Sequence, residues 1–310
     1  METQSPKGAS ARPEFTEKVA TSTWQRWMDS DIWHSYKSKP VIVVSSLVFV
    51  TLVLGAVFSP FLSPYTPFDP SSLNLMNGFT KPFSANDFTG DYFFLGTDDQ
   101  GRDVFSTILF GLRISLFVGL VAVLFAMTLG VILGLLSGYV GGWVDGIIMR
   151  VADIQMTFPS IMVAMLLYGI GKGLIPPDLR DEMAIWVLII SIGLSEWVQF
   201  ARTVRGATMV ERQKEYVQAG HLIGLKRWSI MVRHILPNVT GPILVIATIS
   251  LALAIIAEAT LSFLGVGAPK TQPSLGTLIN VGRQYILSGE WWILLFPSLT
   301  LLALALSVNL

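Results

Sequence analysis

The feature that most constrains this chain is a series of long apolar runs separated by polar stretches. A helix rises about 1.5 Å per residue, so roughly 20 apolar residues cross a bilayer core. Six stretches reach or approach that length: 41–62, 114–138, 154–170, 184–200, 242–264 and 291–310. The third and fourth are short and carry Gln155, Thr157, Glu196 and Gln199. Alone, either reads as well as a buried soluble helix; their place among stronger runs favours insertion. Only 14% of the 310 residues are charged, against about 25% in a soluble domain. Such a chain cannot clothe a water-facing surface. The fold expected is all-α, a polytopic bundle of six transmembrane helices.

Several function classes drop out at once. The 21 Lys and Arg balance 21 Asp and Glu, leaving no net charge to draw in nucleic-acid phosphates. Without cysteine there is no disulfide framework, thiol nucleophile or Cys-ligated zinc. His34, His221 and His234 are too widely spaced to suggest a metal cluster, and no metal site is expected. The first apolar run follows 40 hydrophilic residues and precedes Ser59-Pro60, so it reads as an uncleaved anchor rather than a signal peptide.

Lys and Arg concentrate in cytoplasmic loops. They cluster at Lys7, Arg12, Lys18, Arg26, Lys37 and Lys39, and again at Arg202, Arg205, Arg212, Lys214, Lys226, Arg227 and Arg233. Six crossings then put both termini in the cytoplasm. The expected organisation is a cytoplasmic N-terminal segment at 1–40, polar and disordered up to about Glu17, a first transmembrane anchor at 41–62, and an external loop at 63–113. A core transmembrane domain at 114–310 follows, with a cytoplasmic loop at 202–238. Within the external loop, the Pro-, Asp-, Asn- and Ser-rich part at 63–97 should fold as a small irregular cap. Arg102 and Arg113 fall on the outer side, against the charge rule.

The 202–238 loop is far longer than joining two spans requires. Residues 209–223 suggest a helix that Gly224 can end in a left-handed conformation. A second helix from Lys226 would put Trp228, Met231, Val232 and Ile235 on one side, and Pro237 should stop it running into the next span. Residue physics leaves two readings open: a rigid knob for a partner, or a solvated basic loop against lipid headgroups.

The run Glu215-Tyr-Val-Gln-Ala-Gly-His-Leu-Ile-Gly224, followed by His234-Ile-Leu-Pro-Asn238, resembles the EAA loop of ABC-importer permeases. More narrowly, it is similar to the second permease subunit of dipeptide and oligopeptide importers, in the peptide/nickel/opine family. Leu95-Gly-Thr-Asp-Asp-Gln-Gly-Arg-Asp-Val104, Arg113-Ile-Ser-Leu116, Gly138-Tyr-Val-Gly-Gly-Trp-Val-Asp145, Met149-Arg-Val-Ala-Asp153 and Glu258-Ala-Thr-Leu-Ser-Phe-Leu-Gly265 agree, as do Trp291-Trp292 and Phe296-Pro297. The likeness covers residues 37–310. Gly220 departs from the usual Ala, a change of about 1 kcal/mol in helix propensity. Leu275 replaces a common Trp, and the family's short polar tail after Leu310 is missing, as if the C-terminus were truncated.

The resemblance implies a type I ABC importer permease fold in a bacterial inner membrane, forming half of a translocation path for short peptides; nickel, opines or oligosaccharides are alternative cargo. Implied partners are a sister permease, two ATPase subunits and a periplasmic substrate-binding protein, with membrane lipid around the bundle. No cofactor is expected on this chain and no catalysis by it; ATP and Mg would belong to the ATPases. In keeping with that, Gly169-Ile-Gly-Lys-Gly173 lacks the spacing and hydroxyl of a phosphate loop. Glu215, Ala219, Gly220 and Gly224 match the coupling-helix positions that meet the ATPase, while His234, Leu236, Pro237 and Asn238 would fix how that helix joins the next span. For His234, purely local hydrogen bonding is an equal alternative.

Glu258 lies inside an apolar run, where an ionisable group is costly. It either lines the path or, the favoured reading, is a buried hydrogen-bonded joint. Asp153 either lines the path or pairs locally with Arg150. A stand-alone channel or secondary transporter is the rival of another class, but Glu258 and Glu196 are sparse material for an ion relay. No His-Glu-x-x-His supports a membrane hydrolase.

Overall fold

The computed structural model describes residues 38–68, 73–269 and 271–310. The expectation of a disordered, cytoplasmic N-terminal segment falls almost wholly outside the described residues. The chain divides after Val44. Up to that point the described residues are 38–44, the start of helix α1, Pro40–Val57. The unit from Ser45 onward holds every other element.

After the rest of α1, that unit continues with a short helix, α2, Ser59–Leu62, and then an irregular cap. The cap contains a hairpin of two-residue strands, β1 at Ser84–Ala85 and β2 at Tyr92–Phe93, paired antiparallel. Thr97 ties the cap inward: its hydroxyl accepts from Thr80 N at 2.8 Å, and its carbonyl accepts from Trp292 Nε1 at 3.0 Å. Asp98 and Arg102 form a buried ion pair at 2.7 Å, and burial pushes the Asp98 carboxyl above its ordinary range. The cap ends sooner than the expected loop at 63–113. Asp103 caps helix α3, Val104–Val140, by accepting from Ser106 N at 2.8 Å, so Arg113 lies within the helix.

After α3 come α4, Gly142–Met156, α5, Ser160–Leu174, and α6, Arg180–Glu211. The expected third span at 154–170 straddles a break. α4 and α5 meet at 98°. Pro159 offers no N–H to the Gln155 carbonyl and excludes Phe158 from helical geometry. Among the described residues, five helices are long and apolar enough to cross a membrane, and six spans result only if the bent pair counts as one. Next come α7, Glu215–Leu222, α8, Arg227–Ile230, α9, Leu236–Phe263, α10, Leu275–Tyr285, and α11, Trp292–Asn309.

The packing centres on α3 against α6. Gly130, Gly134 and Gly138 recur every fourth residue on one face of α3. A methyl carbon there would approach the carbonyls of Trp197, Ala201 and Arg205 to 2.6, 2.6 and 2.7 Å. In lipid, helix pairing draws little on the hydrophobic effect and depends on this close backbone approach. Val118, Ala122, Ala126, Ile189, Ile192 and Phe200 continue the buried interface, with α5 and α9 packed against it. Toward the C-terminal end of α6, Asp145 of α4 takes a bidentate bond from Arg205 at 2.5 and 2.7 Å.

Candidate functional site: the α7 elbow

α7 begins after a turn rather than inside a longer helix. The expected helix at 209–223 is broken at 212–214, where Lys214 adopts extended geometry. This turn lets Val217 and Gly220 face the bundle, burying Val217 among Leu135, Tyr139, Val204, Ile230 and Ile235. Gly224 has φ of 79°, and Leu225 N donates to the Gly220 carbonyl at 3.0 Å. That bond closes the helix in a Schellman motif, which a residue with a Cβ would strain.

The second helix also differs from expectation. α8 continues through a π turn, Met231–Ile235, directly into α9, so Pro237 does not end it. The wider turn makes room for the proline ring and places residues five apart above one another. Ile235 thereby falls under Ile230, and both are buried with Met231. Trp228, expected on the same face, is instead 65% exposed.

A polar clamp holds α7 to the bundle. Glu211, at the end of α6, accepts from Tyr216 Oη at 2.7 Å and from Lys214 Nζ at 2.7 Å. Burial and the neighbouring Glu211 push the Tyr216 phenol up to about 12. Asn238 Nδ2 donates to the His234 carbonyl at 2.6 Å and reaches Tyr216 Oη at 3.4 Å. On the other side, Tyr139 Oη lies 3.2 Å from His221 Nε2, with the rings stacked and Arg212 over the Tyr139 face. His234 Nδ1 meets only the Ser229 carbonyl, at 3.4 Å. Leu236 packs partly buried on the core beneath α7, and Pro237 is exposed.

What remains outside is an apolar tip. Leu222 is 88% exposed and Ile223 75%, and Glu215 and Ala219 are exposed on the same short helix. Exposed apolar groups next to a cationic surface mark an interaction site more readily than a solvated loop. The elbow thus brings Glu215, Ala219 and Gly224 to one exposed projection, while Gly220 faces inward. Sequence reading missed Glu211, Tyr139 and the Leu222–Ile223 tip. Only the tip carried a local signal, two large apolar residues directly before the terminating glycine.

Glu258 and Asp153 sit away from the elbow. Glu258 has no exposed surface; it accepts from Ser115 Oγ at 2.8 Å and from Ser262 Oγ at 2.7 Å. Ser115 Oγ in turn accepts from Leu275 N at 3.2 Å, so this carboxyl joins α3, α9 and α10. In this conformation Glu258 is a buried, hydrogen-bonded joint between helices. Asp153 is exposed and ion-paired to Arg202 of α6, not to Arg150.

Residues 130–310 match the family described as the binding-protein-dependent transport system inner membrane component. Residues 26–82 match the N-terminal TM domain of oligopeptide transport permease C. Among curated relatives, the chain is 34% identical to the probable D,D-dipeptide transport system permease DdpC of Escherichia coli K12, over 96% of this chain and 93% of that one. It is 35% identical to the oligopeptide transport system permease OppC of Bacillus subtilis 168, covering 94% and 88%. Identity to the dipeptide transport system permease DppC of the same Bacillus strain is 38%, covering 86% and 78%.

Proposed function

This chain belongs to the binding-protein-dependent transport permease family, and from that premise we propose that it is one permease of a peptide importer whose α7 elbow is gripped by a separate ATPase subunit. The observation that carries the reading is the exposed tip of α7 on a clamped base. Leu222, Ile223 and Ala219 offer a small apolar contact, and Glu215 offers a carboxylate to a cation of the partner. Because Glu211, Tyr216 and Asn238 bind α7 to both α6 and α9, a displacement of the tip is passed to two spans at once.

The importer works by alternating access. ATP and Mg bind on the two ATPase subunits, whose closure moves the elbows of this chain and of a sister permease and exchanges an inward-open path for an outward-open one. A periplasmic binding protein hands over the short peptide from outside, and hydrolysis resets the assembly. In a bacterial inner membrane this places α7 and both termini in the cytoplasm. The peptide cargo follows the transport named for the relatives.

The test is the double variant Leu222→Asp/Ile223→Asp in the assembled importer. Peptide uptake should fall at least tenfold, as loss of about 1.4 kcal/mol or more of docking energy requires, and the ATPase should no longer co-purify, while membrane insertion stays normal. Unchanged uptake with the ATPase still bound would reject the elbow as the docking point, and uptake by this chain alone in liposomes would favour a stand-alone transporter.

A further inference from the structure

Arg113 has no role in the elbow or its clamp. It sits in α3, one residue before the apolar run 114–138, and hence at the edge of the hydrocarbon layer on the side of the cap. Arg113 is exposed, and among the described residues it forms no ion pair with a carboxylate. It borders a cavity of about 840 Å³ enclosed by α1, α3, α6, α9 and residues 271–273. The walls include Phe49 and Val53 of α1, Phe117 and Leu120 of α3, Ile185 of α6 and Leu251 of α9; among the described residues no acidic one lines it. Phe117 and Leu120 are 43% and 50% exposed.

The geometry points to a phospholipid site: the Arg113 guanidinium takes the phosphate of an anionic lipid from the leaflet on the cap side, and an acyl chain fills this cavity. A lipid is the one occupant that brings an anion at the interface and hydrocarbon directly beneath it in a single molecule. A protein segment entering this cavity would have to carry its own carboxylate to that depth, because a buried unpaired guanidinium is strongly unfavourable. The volume falls within the usual range for a bound organic molecule. Arg is well suited to the task, since its planar fork binds two phosphate oxygens together. A net-anionic headgroup such as phosphatidylglycerol is favoured over phosphatidylcholine, whose trimethylammonium adds a cation beside Arg113. The site also accounts for a cation on the side where the charge rule disfavours one.

Native mass spectrometry of the whole importer, released from nanodiscs of phosphatidylglycerol or of phosphatidylcholine, tests this. Phosphatidylglycerol should remain bound and Arg113→Gln should lower its retention about fivefold, the effect of one basic side chain at an anionic surface. Val53→Trp, which narrows the cavity but leaves the cation, should lower retention of the acyl chain in both lipid types. Equal retention of the two lipids, or retention that neither variant changes, overturns the site. A photo-crosslinker at Phe117 should label lipid; labelling of another protein chain in its place would assign the cavity to a subunit contact. If Arg113→Gln fails to assemble, Val53→Trp decides alone.

Discussion

At Gly134, midway along α3, an added methyl carbon would lie 2.6 Å from the Ala201 carbonyl oxygen and 2.8 Å from Val204 Cβ. At Gly220, inside α7, the nearest atoms are 3.6 Å away and belong to the side chains of Ile230 and Leu225. The first glycine is part of a seam in which two backbones touch; the second has ordinary van der Waals space around it. The seam and the elbow therefore hold their shape by different means. α3 and α6 move together because nothing at their contact can yield. α7 stays in place through a few polar bonds and one apolar plug, Val217. The lever proposed for α7 would need this second kind of attachment, and the beam behind it the first.

The sharpest way to break the comparison is to force the seam. Gly134→Leu pushes a branched side chain into backbone and should cost about 3 kcal/mol or more, with little folded chain recovered from membranes. A folded, active variant would mean that the helices can separate. A second probe of the rigid part is Glu258. Glu258→Ala strands Ser115 and Ser262 and should cost about 2 kcal/mol in thermal unfolding, whereas Glu258→Gln retains an acceptor for one of the two hydroxyls and should leave uptake near normal. If Glu258→Gln selectively abolished uptake of cationic peptides, Glu258 would belong to the path after all.

At the elbow the expected effects are smaller and more local. Glu211→Ala removes the acceptor for Tyr216 and Lys214 and should weaken docking of α7 by about 1 kcal/mol. Hydrogen exchange should then quicken at 215–224 with no change along α3. Gly220→Ala should work in the opposite direction. Its Cβ fits, and the unfolded chain loses freedom, so α7 should gain about 0.5–1 kcal/mol. Slower exchange at 215–224 would support this; faster exchange would show the space to be smaller than the distances indicate.

The membrane-helical class, most span positions, and the elbow with its terminating Gly224 were fixed by local chemistry, and the sequence reveals them. Runs of 20 apolar residues have few solutions other than crossing a bilayer, and a glycine after a short helix is a stop at any position. The family likeness rested on short runs of residues in order, which are likewise properties of the chain itself. Some later findings had local signals that pointed elsewhere or were too faint. Pro159 broke the third span, yet Pro237 did not interrupt the helix into α9, because a π turn absorbed its ring. The spacing of Gly130, Gly134 and Gly138 was present in the chain, but the partner backbone that gives it meaning lies 60 to 70 residues away in α6. The same holds for Tyr216 with Asn238, Tyr139 with His221, and Glu258 with Ser115. A hydrogen bond between distant residues has no periodicity to betray it; it exists only once packing has chosen which helices stand side by side.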